Sequence, residues 1–419
     1  MRRISKLGIV GSGVCALALT MASPAFADYA PNKHDVVGVG SDTVQNINDF
    51  VADGDQFGDG AGFNGALNKY KMVSFDATPD ANDRAGYLNL STNTTPLPLT
   101  PTVVLRQGTT PVQRPNGSSA GIAALIADTG TPHKIDYVRA SRALKGTEEA
   151  SFVTASGGTD KLDTVKISDD PLQIAYSIAG PTPVTGVTNV ASNMPAAGLT
   201  VNQLKDIYNC ASTARTWLQV GGTSSHTIIP LLPQAGSGTR STFLQDIFGS
   251  SSYSSFGPCV ETVEENDPSA IALAQQPNIA GVSPAFPSGN DSADAIVPFS
   301  AGRLALYNGV GSNAGYFHDP TVVFPGTSTP LHPGIALAPG TGDGLSGTSV
   351  YDDVRGLFII FRNSDLSDAP WEPGSTVNWA TTLFWDTTSY YGDGNGDPYI
   401  IAAGGVPDYV KEPVGYAPN

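Results

Sequence analysis

The sequence contains few charged residues and few cysteines. Only 14% of its 419 residues are charged, and acidic residues outnumber basic residues by 38 to 22, for a formal net charge of −16. This surplus of negative charge argues against a nucleic acid or an anionic membrane as partner, because both are themselves negatively charged. The low charge does not indicate disorder, since 40% of the residues are hydrophobic.

Long hydrophobic runs are missing after the N-terminus. Three basic residues within the first six precede an apolar stretch at 7–21, and residues 25–27 are Ala-Phe-Ala. This pattern predicts a secretory signal peptide, cleaved after Ala27. Cys15 follows a valine, whereas a lipid-anchored bacterial protein needs a small residue there, so we expect a secreted, extracellular protein. No later segment is long and apolar enough to span a membrane.

Only two cysteines remain after the predicted cleavage, Cys210 and Cys259. In an exported chain such a pair is most simply a disulfide, and two free buried thiols are the alternative. The sequence shows no cluster of metal ligands, no cysteine nucleophile and no nucleotide-binding loop. We therefore expect no metal and no cofactor.

The most informative stretch is residues 236–240, with the sequence Gly-Ser-Gly-Thr-Arg. It follows an apolar run at 228–232 and precedes a helical pattern. A glycine loop at a helix start directs unpaired backbone N–H groups at a ligand, and the helix dipole favours an anion. Hydroxyl groups and a guanidinium add donors. The stretch therefore predicts an anion site, with a capped helix after a tight turn as the alternative.

Three other loops have similar chemistry. An apolar strand at 36–40 leads into a Ser-Asp-Thr helix start, residues 114–121 contain a Gly-Ser-Ser loop before a helix, and a strand at 135–140 ends in Ser-Arg. The aspartate of the first loop either caps its helix or accepts a proton from a protonated oxyanion. The predicted ligand-binding residues are Ser41, Asp42, Thr43, Ser118, Ser119, Ser141, Arg142, Ser237, Gly238, Thr239 and Arg240.

Short apolar runs alternate with helical patterns along the chain. Residues 172–178 and 357–361 resemble buried strands, whereas 199–208 and 377–385 resemble amphipathic helices, the former capped by Thr200. Such alternation predicts α/β lobes with mostly parallel sheets. Ligands of such folds bind at the carboxyl ends of strands, where all of these loops lie.

Several motifs together resemble a known family. Residues 117–121, 136–141, 199–208 and 236–239 are similar, in this order, to motifs of the phosphate-binding component of Pst-type phosphate ABC transporters. The Gly-Ser-Gly-Thr match at 236–239 is the most specific. The resemblance covers about residues 36–416, and secreted actinobacterial relatives look closer still.

The resemblance implies a two-lobed type II periplasmic-binding-protein fold of class α/β, with crossover hinge strands. It implies lobe I at 28–168 and 345–419, after a signal peptide at 1–27, and lobe II at 169–344. It also implies a monomeric solute-binding protein without enzymatic activity. Its ligand would be phosphate or another small anion, and an ABC transporter permease is a further candidate partner.

Two departures from the family pattern concern charge. The family's proton-accepting aspartate falls at Arg142, and the family's arginine upstream of the Gly-Ser-Gly-Thr loop falls near Pro233. Arg142 or Arg240 is expected to supply the missing positive charge. The exchange favours a fully charged or bulkier anion.

Two alternative functions remain open from the sequence. A binding-protein fold could be reused as a wall-associated or carbohydrate-binding protein. A secreted serine hydrolase would use Ser119, because residues 117–121 match the G-x-S-x-G pattern. That pattern needs a buried strand directly before it, whereas Pro111 and Pro115 precede it here.

Overall fold

The computed structural model describes residues 30–55, 61–65, 71–77, 102–177, 193–267, 295–308, 335–340, 345–367 and 378–412. The strands are β1 (Val36–Gly40), β2 (Met72–Ser74), β3 (Thr102–Val103), β4 (Val112–Gln113), β5 (Tyr137–Ala140), β6 (Leu162–Ser177), β7 (Ile229–Pro233), β8 (Glu261–Val263), β9 (Ala295–Ser300), β10 (Ile335–Leu337), β11 (Asp353–Arg362) and β12 (Val406–Glu412). The helices are α1 (Asp42–Asp53), α2 (Gly62–Gly65), α3 (Ser118–Ala127), α4 (Gly146–Ala155), α5 (Val201–Tyr208), α6 (Gly238–Phe248), α7 (Ala301–Asn308) and α8 (Asp397–Ala402).

One sheet connects the two halves of the molecule. Its order is β2-β1-β5-β11-β6-β9-β7-β8, and β10 and β12 also pair with β6. Strands β1, β2 and β5 are parallel and form the first lobe with α1, α3 and α4. Strands β7, β8 and β9 are parallel and form the second lobe with α5 and α6. The predicted two-lobed α/β fold is confirmed.

The two lobes are joined by long antiparallel strands. Strand β6 has 16 residues and β11 has 10, and they pair from Leu162 opposite Arg362 to Leu172 opposite Asp353. These are the crossover strands that the resemblance implied. The expectation of short, mostly parallel strands is wrong for this centre, where the strands are long and antiparallel.

Alternate residues of the strands enter opposite hydrophobic cores. Val36 packs with α1 on one face of the first lobe, whereas Val37 packs with α3 on the other. In the second lobe, Leu232 packs with α5 and α6, whereas Leu231 packs on the side of α7. Each fully buried side chain of this kind stabilises the fold by about 1.5–3 kcal/mol. Helices thus cover both faces of each parallel section.

Local predictions in the second lobe and near the C-terminus differ in outcome. The Thr200 side chain accepts a hydrogen bond from the Gln203 N–H at 3.2 Å, so the predicted helix cap is confirmed. The helix expected at 377–385 is in its described part mainly one π-helical turn, Thr381–Trp385. The lobe boundaries at 168/169 and 344/345 stay predictions, and β6 continues across the first of them.

The disulfide between Cys210 and Cys259 is present, which confirms its prediction. It links the turn after α5 to the segment before β8, with a sequence separation of 49. Strand β7 and helix α6 lie within this loop. Among the described residues no helix is both long and apolar enough to cross a membrane.

Candidate functional site

The N-termini of α1, α3 and α6 meet where the two lobes face each other. The N–H of Ser119 at the start of α3 donates to the carbonyl of Gly236, 3.0 Å away, before α6. The Gln234 amide donates to the Asn116 side chain at 3.1 Å, and the Asn116 amide donates to Glu264 at 3.1 Å. These bonds join the first lobe to the second, so the lobes are closed onto each other.

A cluster of small residues forms one part of this seam. The Ser141 N–H donates to Ser118 Oγ at 3.0 Å, and the two hydroxyls lie 3.3 Å apart. Gly238 of the second lobe rests on both, because a Cβ atom there would lie only 2.1 Å from Ser141 Oγ and 2.5 Å from Ser118 Oγ. The structure therefore brings three predicted residues together, and only glycine allows so close an approach.

Two threonines from opposite lobes form the other part of the seam. Thr43 of α1 and Thr239 of α6 have their hydroxyl oxygens 3.5 Å apart. Oε1 of Glu265 accepts hydrogen bonds from the Thr43 hydroxyl at 3.1 Å, the Thr239 N–H at 3.1 Å and the Thr239 hydroxyl. We call Thr43, Thr239 and Glu265 the threonine cluster. All three residues are buried.

Asp42 lies beside the threonine cluster and is completely buried. Its Oδ1 accepts a hydrogen bond from the Asn266 amide at 3.1 Å, and its Oδ2 lies 3.7 Å from Nη2 of Arg303. The Asn266 amide also donates to Thr43 Oγ1 at 2.9 Å, which ties Asp42 to the cluster. Nη1 of Arg303 is buried and has no hydrogen-bond partner among the described residues.

Arg355 brings a second positive charge to the threonine cluster. Its guanidinium pairs with Asp170 on the neighbouring crossover strand at 2.9 Å, and its Nη2 lies 3.5 Å from Thr43 Oγ1. Both side chains of this pair are at most 4% exposed. The Asp170 carboxylate also accepts from the Ser300 hydroxyl at 2.6 Å and the Gly302 N–H at 3.2 Å. These hydrogen bonds to Asp170 offset part of the desolvation of the buried ion pair.

Two of the predicted serines have different roles at their helix starts. Ser237 caps α6, because its side chain accepts the Arg240 N–H at 3.0 Å. Ser41 occupies the N-cap position of α1 but makes no side-chain cap hydrogen bond. Its hydroxyl is buried and has no partner among the described residues. Ser41 is therefore the predicted residue with an uncommitted hydroxyl next to Asp42.

The two predicted arginines are engaged outside the threonine cluster. Arg142 forms a two-pronged ion pair with Glu148 at 2.6 and 2.9 Å, and it donates to the Ser119 hydroxyl at 2.8 Å. Arg240 donates to the Pro233 carbonyl at 2.9 Å and lies over the ring of Phe256. The structure therefore places Arg303 and Arg355, not these two, beside the threonines.

Sequence reasoning missed four residues of this site: Glu265, Asn266, Arg303 and Arg355. A signal existed for the first two, because they follow β8, and the carboxyl ends of parallel strands were already the expected binding edge. Arg303 lies in the first turn of the helix that directly follows β9. Arg355 lies within β11, where only the pairing with β6 reveals its neighbours.

The segment before Ser119 does not form a nucleophile elbow. Strands β3 and β4 pair only with each other, in a two-stranded sheet separate from the main one. A single bridge between Gly40 and Asn116 connects this segment to the main sheet. The Ser119 hydroxyl is also held by Arg142. The strand-turn-helix geometry that activates a serine in such hydrolases is therefore missing from this part of the chain.

The arrangement suits the binding of an oxyanion that carries a proton. Helix starts and hydroxyls from both lobes can donate to its oxygens, and Arg303 and Arg355 supply positive charge. Glu265 and Asp42 can accept a ligand hydrogen. Within the described residues there is no group of three or more His, Cys, Asp or Glu side chains that could hold a metal ion.

Comparisons with known proteins relate the chain to one superfamily. The sequence model of the PBP superfamily domain matches residues 77–294, just over half of the chain. A search of curated proteins found no match.

Solved structures with a similar fold share little sequence with this protein. One is described as a phosphate ABC transporter substrate-binding protein with bound phosphate from Clostridium perfringens, with 14% identity and a TM-score of 0.46 over 89% of this chain and 99% of that one. Another is an ABC-type phosphate transport receptor from Vibrio cholerae, with 16% identity and a TM-score of 0.41 over 89% and 99% of the two chains. By the family match, this chain belongs to the PBP superfamily.

Proposed function

We propose that this protein is a solute-binding protein that captures phosphate or a similar oxyanion between its two lobes. The observation that carries the proposal is the threonine cluster. Donors from Thr43 in the first lobe and Thr239 in the second already converge on one anionic oxygen, Oε1 of Glu265. A donor set that holds a carboxylate oxygen can hold an oxygen of phosphate.

The acidic groups of the site favour a protonated ligand. Sequence reasoning favoured a fully charged anion, because Arg142 replaces the family's proton acceptor. Glu265 and Asp42 are two candidate acceptors for a hydrogen bond from the ligand's proton. Monohydrogen phosphate can donate its proton to one of them, whereas sulfate carries no proton at neutral pH and would meet their charge unrelieved.

Capture requires the lobes to open and close. Among the described residues the lobes meet through hydrogen bonds at the seam, and the long strands β6 and β11 connect them. Two lobes joined in this way can move about a hinge and close over a ligand. The same proposal includes export after cleavage behind Ala27 and delivery of the ligand to an ABC transporter permease, with no catalytic step.

The experiment that tests the proposal is calorimetric titration of the mature chain with phosphate and with sulfate. Thr239→Val keeps the shape of the side chain but removes its hydroxyl. A hydrogen bond to a charged group contributes about 1.5–3 kcal/mol, so the substitution should weaken phosphate binding by about 10- to 100-fold. Phosphate should bind the unmodified protein at least about tenfold more tightly than sulfate.

The matched control is Thr154→Val, because Thr154 is an exposed threonine of α4 whose hydroxyl donates within its own helix, to the Ala150 carbonyl. It should leave phosphate affinity unchanged. Absence of phosphate binding by the unmodified protein, or equal affinity in the Thr239→Val variant, would refute the proposal. Cleavage behind Ala27 is tested separately by N-terminal sequencing of the protein recovered from the culture medium.

A further inference from the structure

A cavity of about 700 Å³ lies between the lobes, apart from the threonine cluster. The start of α4 forms one wall, α6 forms the facing wall, and the crossover strands β6 and β11 lie between them. Pockets for small molecules typically have volumes of roughly 300–1,000 Å³. The cavity is therefore large enough for a ligand well beyond the size of phosphate.

The walls of this cavity are basic, although the whole chain is acidic. Arg142, Lys145, Lys166 and Arg355 line it, and Asp246 is the one carboxyl group among the lining residues. Burial and the charge of a neighbouring aspartate raise the pKa of Asp246 to about 7, which further reduces the negative charge. In a chain with a formal net charge of −16, four basic side chains around one cavity indicate an anionic ligand.

Lys145 is the basic residue of the cavity whose charge is least compensated. Carboxylates pair with the other three, whereas Lys145 forms no ion pair with any described residue. Burial and the adjacent positive charge of Arg142 lower the pKa of Lys145, and the charge of Glu148 offsets only part of this effect. An anionic group beside Lys145 would stabilise its charged form.

Two arginines that line the cavity have unused donors. Nε of Arg142 and Nη1 of Arg355 are buried without a hydrogen-bond partner among the described residues, and both side chains are at most 8% exposed. Unsatisfied buried donors are costly, so these guanidinium groups are incompletely paired beside the cavity.

The rest of the lining suits a ligand with several hydroxyl groups. Thr147, Ser241, Thr242 and Gln245 offer hydroxyls and an amide, which both donate and accept hydrogen bonds. Phe358 adds an aromatic ring against which the apolar face of a sugar can pack. Anions without hydroxyls would leave most of these groups unused.

We propose that this cavity binds a small anionic sugar of about monosaccharide size. Its acidic group lies at Lys145 and Arg142, and its hydroxyls contact the polar side chains of α6. The site is separate from the threonine cluster, and Arg355 is the one residue that lies at both. The proposal therefore stands whether or not the protein binds inorganic phosphate.

The test is titration of the mature chain with glucose 6-phosphate, glucuronate and glucose, each in the presence of saturating inorganic phosphate. Where phosphate occupies the threonine cluster, binding of a sugar reports a second site. We expect at least one of the two charged sugars to bind, with an affinity that falls as salt concentration rises. Comparison of these two shows whether the acidic group is a phosphate or a carboxylate, and neutral glucose should bind about tenfold more weakly or not at all.

Substitutions of residues inside and outside the cavity show where the charged sugar binds. Lys145→Ala and the milder Lys145→Gln should each weaken binding of the charged sugar by about tenfold, because a charge-assisted contact is lost. Lys205→Ala removes an exposed lysine of α5 that does not line the cavity. It should leave sugar binding unchanged.

Three results would overturn the proposal. The first is that neither charged sugar binds in the presence of saturating phosphate. The second is that glucose binds as tightly as they do. The third is that both Lys145 variants, with thermal unfolding midpoints like that of the unmodified protein, keep full affinity for the charged sugar.

Discussion

The threonine cluster and the cavity beside Lys145 both lie between the lobes, but they present charge in opposite ways. The cluster surrounds an internal carboxylate with short donors fixed to helix starts. The cavity is lined by long basic side chains, one of which has no ion-pair partner among the described residues. A fixed carboxylate acceptor can distinguish oxyanions by their protons, whereas long cationic side chains attract negative charge on ligands of varied shape.

Arg355 is the residue that joins the two regions, and its loss should have the largest effect. In Arg355→Leu, the Asp170 carboxylate would stay buried without its positive partner. Breaking a buried ion pair in this way costs about 3–5 kcal/mol. We expect the free energy of unfolding, measured by urea denaturation, to fall by about this amount.

The control for this change replaces both partners. Asp170→Asn together with Arg355→Gln removes both charges and keeps polar groups near Ser300 and Gly302. It should recover a large part of the lost stability. If Arg355→Leu unfolds at the same urea concentration as the unmodified protein, the ion pair does not stabilise the link between the regions.

The Asp246 carboxyl, which lines the cavity, should make the free energy of unfolding depend on pH. Burial is the main cause that raises the pKa of Asp246 to about 7, and the charge of Asp353 raises it further. The hydrogen bond from the Tyr351 hydroxyl and the charge of Arg355 lower this pKa. The protonated form is thus favoured in the folded state, so this group reduces stability as pH rises from about 4 through 7. Asp246→Asn should raise the free energy of unfolding above pH 7, with an upper bound of roughly 4 kcal/mol.

The measurement is the thermal midpoint of both proteins from pH 4 to pH 8. The difference between them should grow with pH. Asp206→Asn on α5 is the matched control, because Asp206 is exposed, and it should give a small difference at every pH. A difference for Asp246→Asn that stays constant with pH would contradict this assignment.

Gly238 allows the two lobes to approach closely, and a substitution there should push them apart. In Gly238→Ala the new Cβ would meet the hydroxyls of Ser118 and Ser141 and force them apart. Overpacking of this kind costs about 1–3 kcal/mol, and here it falls on the closed arrangement of the lobes. Small-angle scattering should show a larger radius of gyration. Gly146→Ala is the control, since nothing lies within 4 Å of a Cβ there; equal radii for both variants would refute the closure argument.

The smallest expected effect concerns Glu265 and the preference of the threonine cluster for phosphate over sulfate. Glu265→Gln keeps the side-chain shape and an oxygen acceptor but removes the negative charge. Sulfate should then gain relative to phosphate, by about tenfold in the ratio of dissociation constants. Titration with both ions measures this ratio. An unchanged ratio would mean that Glu265 does not read the proton of the ligand.

The arginines show which part of the candidate site could be predicted from the sequence and which part could not. Arg142 and Arg240 were sensible candidates because they stand next to the glycine loops. Their guanidinium groups are instead taken by Glu148 and by the Pro233 carbonyl. Arg303 and Arg355 stand far from those loops in sequence, and only the pairing of β6 with β9 and β11 brings them to Asp42 and Thr43.

The local elements of this protein follow from residues that are neighbours along the chain. Apolar runs bounded by glycine and hydroxyl residues specify β1, β7 and the helices that follow them, and the two remaining cysteines specify the disulfide. These features depend on neighbours along the chain, namely side-chain periodicity, helix capping and backbone freedom at glycine.

The groups that face one another across the lobes are brought together by the tertiary fold. The donors on Glu265 come from residues 43 and 239, and the ion pair of Asp170 comes from residue 355. No local pattern encodes contacts between residues that are 26 to 222 positions apart. Each of these buried polar groups needs its distant partner. A buried charge without a partner would lower the free energy of unfolding by a large part of its total.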